Sequence, residues 1–306
     1  MGKIQEEFEE SKKYELKTED VEINGKTVKL VELTKDNVAR VEAMIRMDSS
    51  YAKTGEPEAG PEETTDKIKF YGSTAFWMTK LKEVIETGKY TYKSNNTNFD
   101  IIQEAVNAVD RENSTHLNSN STKFSTEPRV LMRNRIQEII ENPDEQKNLK
   151  NRLENRDLDL VCELSNTIRE VKDNEEINRG CTSFSSKFCH YACLWFFGDK
   201  DANDNFSIYD NILFQVLPIY EFRYCKTKIL KKVSEDDFYK NYSDVIDRIR
   251  EAAKNEYGQE ISRNGFDHLL WYYHKGHSIR GNKEGQFNLN DIKIQTKKTK
   301  QNSQEK

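Results

Sequence analysis

A lysine that could act as a nucleophile and a carboxylate that could stabilise positive charge stand 23 positions apart in the C-terminal third of the chain. Lys187 follows the glycine-containing turn Asn178-Arg179-Gly180-Cys181-Thr182. Ser185-Ser186 reads as the cap of a helix running from about Lys187 to Phe197. Asp210 follows Ser207-Ile208-Tyr209 and reads as the N-cap of a helix from Asn211 to Leu217, closed by Pro218. Two helices joined by the polar loop Gly198 to Asn205 can bring both N-termini to one cleft. A lysine in a first turn feels the positive end of the helix dipole, and desolvation adds to that, so more of it is the neutral, nucleophilic amine. A carboxylate at the neighbouring N-terminus stays ionised and can stabilise a sugar that gains positive charge as its base departs. Each residue also has a plain structural role open to it, Lys187 as a solubilising surface group and Asp210 as a cap.

The surrounding residues sort by the same two roles. His190, about one turn after Lys187, can tune the lysine or touch a base, or it is a packed, hydrogen-bonded histidine. Tyr209 and Trp271 are placed to stack on a base, whereas Trp195, Phe196 and Phe197 read as core. The five cysteines, Cys162, Cys181, Cys189, Cys193 and Cys225, form no paired framework. Cys189 and Cys193 lie four apart beside His190, but no second ligand pair follows at metal-binding spacing, so packed thiols are expected and no metal or other cofactor. A carboxylate cluster for a nuclease and a glycine-rich phosphate loop for a nucleotidyltransferase are both lacking.

The string SFSSKFCHYACLWFF, a loop, and SIYDNILFQVL, within Gly180 to Leu217, resemble the hairpin, lysine and downstream aspartate of the helix-hairpin-helix DNA glycosylases, and within them the bacterial 8-oxoguanine DNA glycosylase-like branch. Gly265-Phe266-Asp267-His268-Leu269-Leu270-Trp271-Tyr272 resembles the terminal helix of such proteins. The resemblance implies excision of a damaged or modified base from DNA, with or without abasic-site lyase activity. It implies Lys187 as the nucleophile on the sugar C1′ and Asp210 as its electrostatic partner. DNA is then the partner, reached by base flipping, and defence against foreign DNA is the implied setting. Arg179, Ser183 and Ser185 at the hairpin, with Lys226, Lys228, Lys231 and Lys232 beyond it, are the candidates for the DNA backbone. The rival reading is a non-catalytic helical interaction or defence protein on a glycosylase-like scaffold, with a protein as partner.

These residues need a scaffold, and the sequence describes a mainly α one. The 306 residues are 35% hydrophobic and 33% charged, with only 5 prolines and 13 glycines, which suits helices better than a many-turned sandwich. Val21 to Ile23 and Thr27 to Leu33 flank Asn24-Gly25, a strong hairpin signal. Apolar residues then recur at helical spacing from Val38 to Met47, from Ile68 to Ile85, over Phe99 to Val109 and over Val130 to Ile140. Pro143 starts a further helix carrying Leu149, Leu153, Leu158, Val161 and Leu164, and helices are expected over Glu235 to Glu256 and Gln259 to His274. The expected organisation is a charged segment at 1–20, a hairpin plus helical region at 21–160, a helix-hairpin-helix glycosylase-like region at 161–275, and a disordered basic tail at 276–306.

Charge and hydropathy narrow the functional classes. The net charge of −5, from 48 basic and 53 acidic residues, disfavours a protein that holds nucleic acid over its whole surface. Residues 219–232 nevertheless carry Arg223 and four lysines against Glu221 alone, a local phosphate-facing patch or a solvated face. No apolar run approaches the length of a membrane span, and the N-terminus lacks a signal-peptide core, so no membrane partner and a cytoplasmic location are expected.

Overall fold

The computed structural model describes residues 16–23, 26–47, 62–64, 67–69, 74–94, 96–112, 115, 117, 127–172, 175–178, 181–226 and 238–275. The fold is mainly helical, and four two-stranded antiparallel hairpins punctuate the helices among the described residues. In the first, β1 (Thr18–Ile23) pairs with β2 (Lys26–Val31), with Val21 opposite Val28 as the alternation around Asn24-Gly25 predicts. Helix α1 (Lys35–Met47) follows. Next come hairpin β3 (Glu62–Thr64) with β4 (Lys67–Lys69) and helix α2 (Thr74–Thr87). Hairpin β5 (Thr91–Ser94) with β6 (Thr97–Asp100) runs straight into α3 (Ile101–Glu112). Helices α4 (Pro128–Ile140), α5 (Leu149–Glu154) and α6 (Asp159–Ser165) lead to hairpin β7 (Arg169–Lys172) with β8 (Glu175–Asn178). The chain closes with α7 (Thr182–Phe197), α8 (Asn211–Cys225), α9 (Phe238–Tyr257) and α10 (Arg263–Lys275).

Three helical expectations are revised, each for a local or packing reason. Ile68 lies in β4 and outside the helix, because α2 begins only at Thr74, whose amide donates to the Glu112 carboxylate of α3 at 2.7 Å. The helix expected from Pro143 is broken in two. Asp144 caps a short 3-10 turn at Glu145–Lys147 and Asn148 caps α5, while Arg156, at φ 54°, stops the helix before α6. That left-handed arginine is held by its own side chain, which donates to the Asn205 carbonyl at 3.0 Å and the Ser243 hydroxyl at 2.9 Å and pairs with Asp247. Pro218 does not close α8, which continues to Cys225. An interior proline costs about 3 kcal/mol, but here Val216, Leu217, Ile219 and Tyr220 are buried on both sides of it, and burying such side chains contributes about 1.5–3 kcal/mol each.

One continuous apolar core runs from Val21 to Tyr273 across residue 160. Its centre is α7, with Phe184, Phe188, Ala192, Phe196 and Phe197 buried against α2, α3, α5 and α6. A helix packed on several sides needs no polar stripe, which is why SFSSKFCHYACLWFF shows little amphipathic period. The N-terminal hairpin belongs to the same body. The Val31 amide donates to the Tyr220 hydroxyl and the Leu33 amide to the Tyr224 hydroxyl, both at 3.3 Å, while the Tyr273 hydroxyl donates to the Lys29 carbonyl at 3.2 Å. Tyrosines of α8 and α10 thus cover the free edge of β2, which would otherwise leave buried backbone groups unpaired. Among the described residues no helix is long and apolar enough to cross a membrane.

Candidate functional site

The first turn of α7 starts at Thr182, five residues before Lys187. Cys181 occupies the N-cap position with no side-chain cap bond, and its thiol contacts the Leu164 and Ser165 carbonyls. Ser185 and Ser186 are therefore inside the helix and fully buried, not caps. The Ser185 hydroxyl donates to the Cys181 carbonyl at 3.1 Å and the Ser186 hydroxyl to the Ser183 carbonyl at 3.2 Å. Lys187 consequently sits in the second turn, half-buried, where the helix dipole has already weakened. Ser185 is turned inward, away from any surface that a phosphate would meet, while Ser183 is half-buried.

Asp210 sits where the sequence places it. Its Oδ1 accepts from the Ile212 amide at 2.7 Å, and its carbonyl accepts from Phe214 at 2.9 Å to open α8. The loop and α7 meet directly beside the two candidate residues. The Tyr209 amide donates to Ser186 Oγ at 2.9 Å, so the residue before Asp210 is fixed to the residue before Lys187. The Tyr209 ring is half-buried against Phe214, Phe238 and Tyr242, with centroids 5.2–6.0 Å away, and burial pushes its hydroxyl up in pKa.

The extended segment from Asn205 to Asp210 is held by side chains, not by a sheet partner. His190 Nδ1 meets the Phe206 carbonyl at 2.9 Å, so this nitrogen carries the proton. Tyr239 donates to the Ser207 carbonyl at 2.7 Å, and Tyr242 donates to the Ile208 carbonyl at 2.8 Å. The Ile208 amide donates to Asp267 Oδ2 at 2.7 Å. Asp267 is 2% exposed, and burial raises its pKa well above the usual carboxylate range, partly offset by the Ile208 bond. Burial lowers the His190 pKa, opposed by its bond to Phe206. Burial, followed by the nearby His190, lowers His268 to about 4.

The remaining expected site residues scatter. His190 faces the core and is structural in its contacts. Trp271 is half-buried on α10 and packs against the core. Lys226 is exposed, at φ 55°, and its ammonium donates to the Arg223 carbonyl at 2.8 Å at the C-terminus of α8. Arg179, Lys228, Lys231, Lys232 and the tail 276–306 lie outside the described residues. Cys189 and Cys193 are buried, and burial pushes both thiols up in pKa. Among the described residues no three His, Cys, Asp or Glu side chains converge as metal ligands.

Sequence reasoning missed Ser186, Tyr239, Tyr242 and Asp267, which position the loop. For Asp267 a signal existed, since it stands among Phe266, Leu269 and Leu270 on the apolar side of its helix. The link between α6 and α7 carries the two-stranded hairpin β7–β8, and the expected hairpin turn at Arg179-Gly180 lies outside the described residues. No protein-family model, no curated protein and no solved structure matches the chain.

Proposed function

We propose that the chain excises a damaged or modified base from DNA, with Lys187 as nucleophile and Asp210 as the carboxylate that stabilises the developing sugar cation. The observation that carries this reading is the Tyr209–Ser186 hydrogen bond, which ties the two residues' immediate neighbours together at 2.9 Å. In the proposed step the neutral amine of Lys187 attacks the sugar C1′. The bond from C1′ to the base breaks and its electron pair leaves with the base, which takes up the proton that the amine gives up; the nitrogen lone pair then forms the C1′–N double bond as the C1′–O4′ bond opens, its electron pair going to O4′, which is protonated from solvent. Asp210, held by its own helix cap, faces that charge without having to reorganise. The wider setting, defence against foreign DNA, follows from the sequence resemblance alone.

A second reading has its own observation. Asp210 is already used as a cap and Lys187 lies beyond the first turn, the arrangement of a helical protein that keeps the scaffold without the reaction. Borohydride reduction on DNA carrying abasic sites separates the two. The excision reading expects a covalent protein–DNA adduct that Lys187→Gln removes while the circular dichroism stays unchanged. An adduct of equal yield in the variant, or none in the parent protein on any abasic or modified substrate, favours the non-catalytic reading.

A further inference from the structure

Helix α8 is apolar on its outer side as well as its inner one. Leu213, Val216, Leu217 and Tyr220 face inward and are buried in the core. Phe214, Pro218, Phe222 and Cys225 form the outer face, falling at 3.6 residues per turn within about 80° of arc. Phe222 is 38% exposed, the one large hydrophobic side chain classed as exposed among the described residues, and the other three are half-buried. A surface helix ordinarily turns charged residues outward, so an apolar outer stripe marks a contact face. The stripe is also symmetric in spacing about Pro218. Phe214 and Phe222 stand four residues to either side of it, Asn211 and Cys225 seven, and Asp210 and Lys226 eight.

We propose that this face of α8 docks on the same face of a second copy of the chain, as an antiparallel helix pair centred on Pro218. A two-fold axis there, perpendicular to α8, sets Phe214 beside Phe222 of the second copy and Asn211 beside its Cys225. The same operation brings the half-buried Asp210 carboxylate level with the exposed Lys226 of the second copy, at the end where its helix dipole is negative and that of the first is positive. A contact between identical surfaces requires this kind of self-complementarity, apolar at the middle and opposite in charge at the two ends. Nucleic acid fits the face poorly, since its phosphates would meet Phe222 and Pro218 in the centre. One 15-residue helix offers an area at the small end of stable interfaces, so the dimer is reversible, with a dissociation constant on the order of 10 μM. The pairing is independent of any excision chemistry.

Sedimentation equilibrium of the full chain tests the dimer, and a disulfide tests its register. The mass should rise with concentration from 35.9 kDa toward twice that value. Phe222→Glu, a change at an exposed position, should weaken the association at least about tenfold. Asn211→Cys, treated with oxidised glutathione, should give a covalent dimer through Cys225 of the second copy, and adding Cys225→Ser should abolish it. A parent mass that stays at one chain up to about 1 mM, far above the expected dissociation constant, overturns the proposal and leaves the face to a different partner. A dimer that Phe222→Glu does not weaken overturns it too, as does a cross-link that fails to form or that survives Cys225→Ser. Should Phe222→Glu fail to fold, the cross-link decides.

Discussion

Among the described residues two aspartates are buried, Asp110 at the end of α3 and Asp267 in α10, and their surroundings are opposite. Asp110 is 4% exposed yet both its oxygens are used. Oδ1 accepts from the Leu117 amide at 2.8 Å and from the Thr115 hydroxyl, and Oδ2 accepts from Arg129 Nε and Nη2 at 2.8 and 2.7 Å. Asp267 has one backbone amide on one oxygen and no cation in ion-pair contact among the described residues. A buried carboxylate with a paired guanidinium organises a corner, here the start of α4 with Thr115 and Leu117. A buried carboxyl without one bears the desolvation cost unrelieved, which is what raises the Asp267 pKa.

Asparagine at each position breaks or sharpens this contrast most strongly. Asp110→Asn leaves Arg129 without its counter-charge and should cost about 3 kcal/mol in urea unfolding. Asp267→Asn keeps an acceptor for Ile208 and leaves no ion-paired cation behind, so it should cost less than about 1 kcal/mol. Equal losses at the two sites would contradict the contrast between them.

The pH dependence of stability carries the next effect. His268 falls from the ordinary 6.5 to about 4 on folding. Its contribution is therefore complete above pH 6.5 and is lost as the pH falls through 4. Its ring is partly exposed, so the loss is on the order of 2 kcal/mol and not the full value of the shift. Asp267 acts in the reverse sense. Its raised folded value contributes stability that is complete below the ordinary carboxylate range and is lost as the pH rises. His268→Gln should flatten the acid limb of a pH–stability curve, and Asp267→Asn should move the optimum upward. A parent curve that is flat between pH 4 and 7, matched by both variants, would contradict these assignments.

Smaller effects test whether side chains that replace a sheet partner differ in depth. Tyr239→Phe leaves the Ser207 carbonyl buried without its donor and should cost about 1–2 kcal/mol. Tyr220→Phe removes an acceptor from Val31 and a partner from His274, at 3.3 and 3.1 Å, and should cost about 1 kcal/mol. Thermal melts of the two variants rank them.

The smallest stability change is at Asp210, where function and structure separate. Asp210→Ala should lose about 1 kcal/mol with the cap, whereas Asp210→Asn still accepts from Ile212 and should lose only about 0.3 kcal/mol. Under the proposed excision the asparagine variant should nonetheless turn over about 100-fold more slowly. Full activity in Asp210→Asn, on a substrate that the parent protein processes, would leave this residue as a cap alone.

Much of the local structure was legible because it is written in short-range chemistry. Asn24-Gly25 announced the β1–β2 hairpin, and the apolar spacing from Val38 announced α1. Asp210 announced the start of α8. The hairpins at 91–100 and 169–178 gave no such warning. They are short strands of mixed polarity without an Asn-Gly turn, and polar residues next to helices read as loop. Ser185-Ser186 misled in the opposite way. Serines favour caps, and only the burial of that face of α7 shows that their hydroxyls return to the helix's own carbonyls.

The sequence by itself determined a helix-rich chain, the first hairpin and the cap at Asp210. Each depends on residues within a turn or two of one another, where propensity and side-chain-to-backbone bonds act without help. Tertiary structure alone decided that α8 runs through Pro218, that Lys187 lies in a second turn, that tyrosines cover the edge of β2, and that Asp267 meets the 205–210 segment. Those outcomes join residues up to 244 positions apart, as in the Lys29–Tyr273 bond. They are set by which surfaces pack together, since burial fixes both the cost of an unpaired polar group and the partner that relieves it.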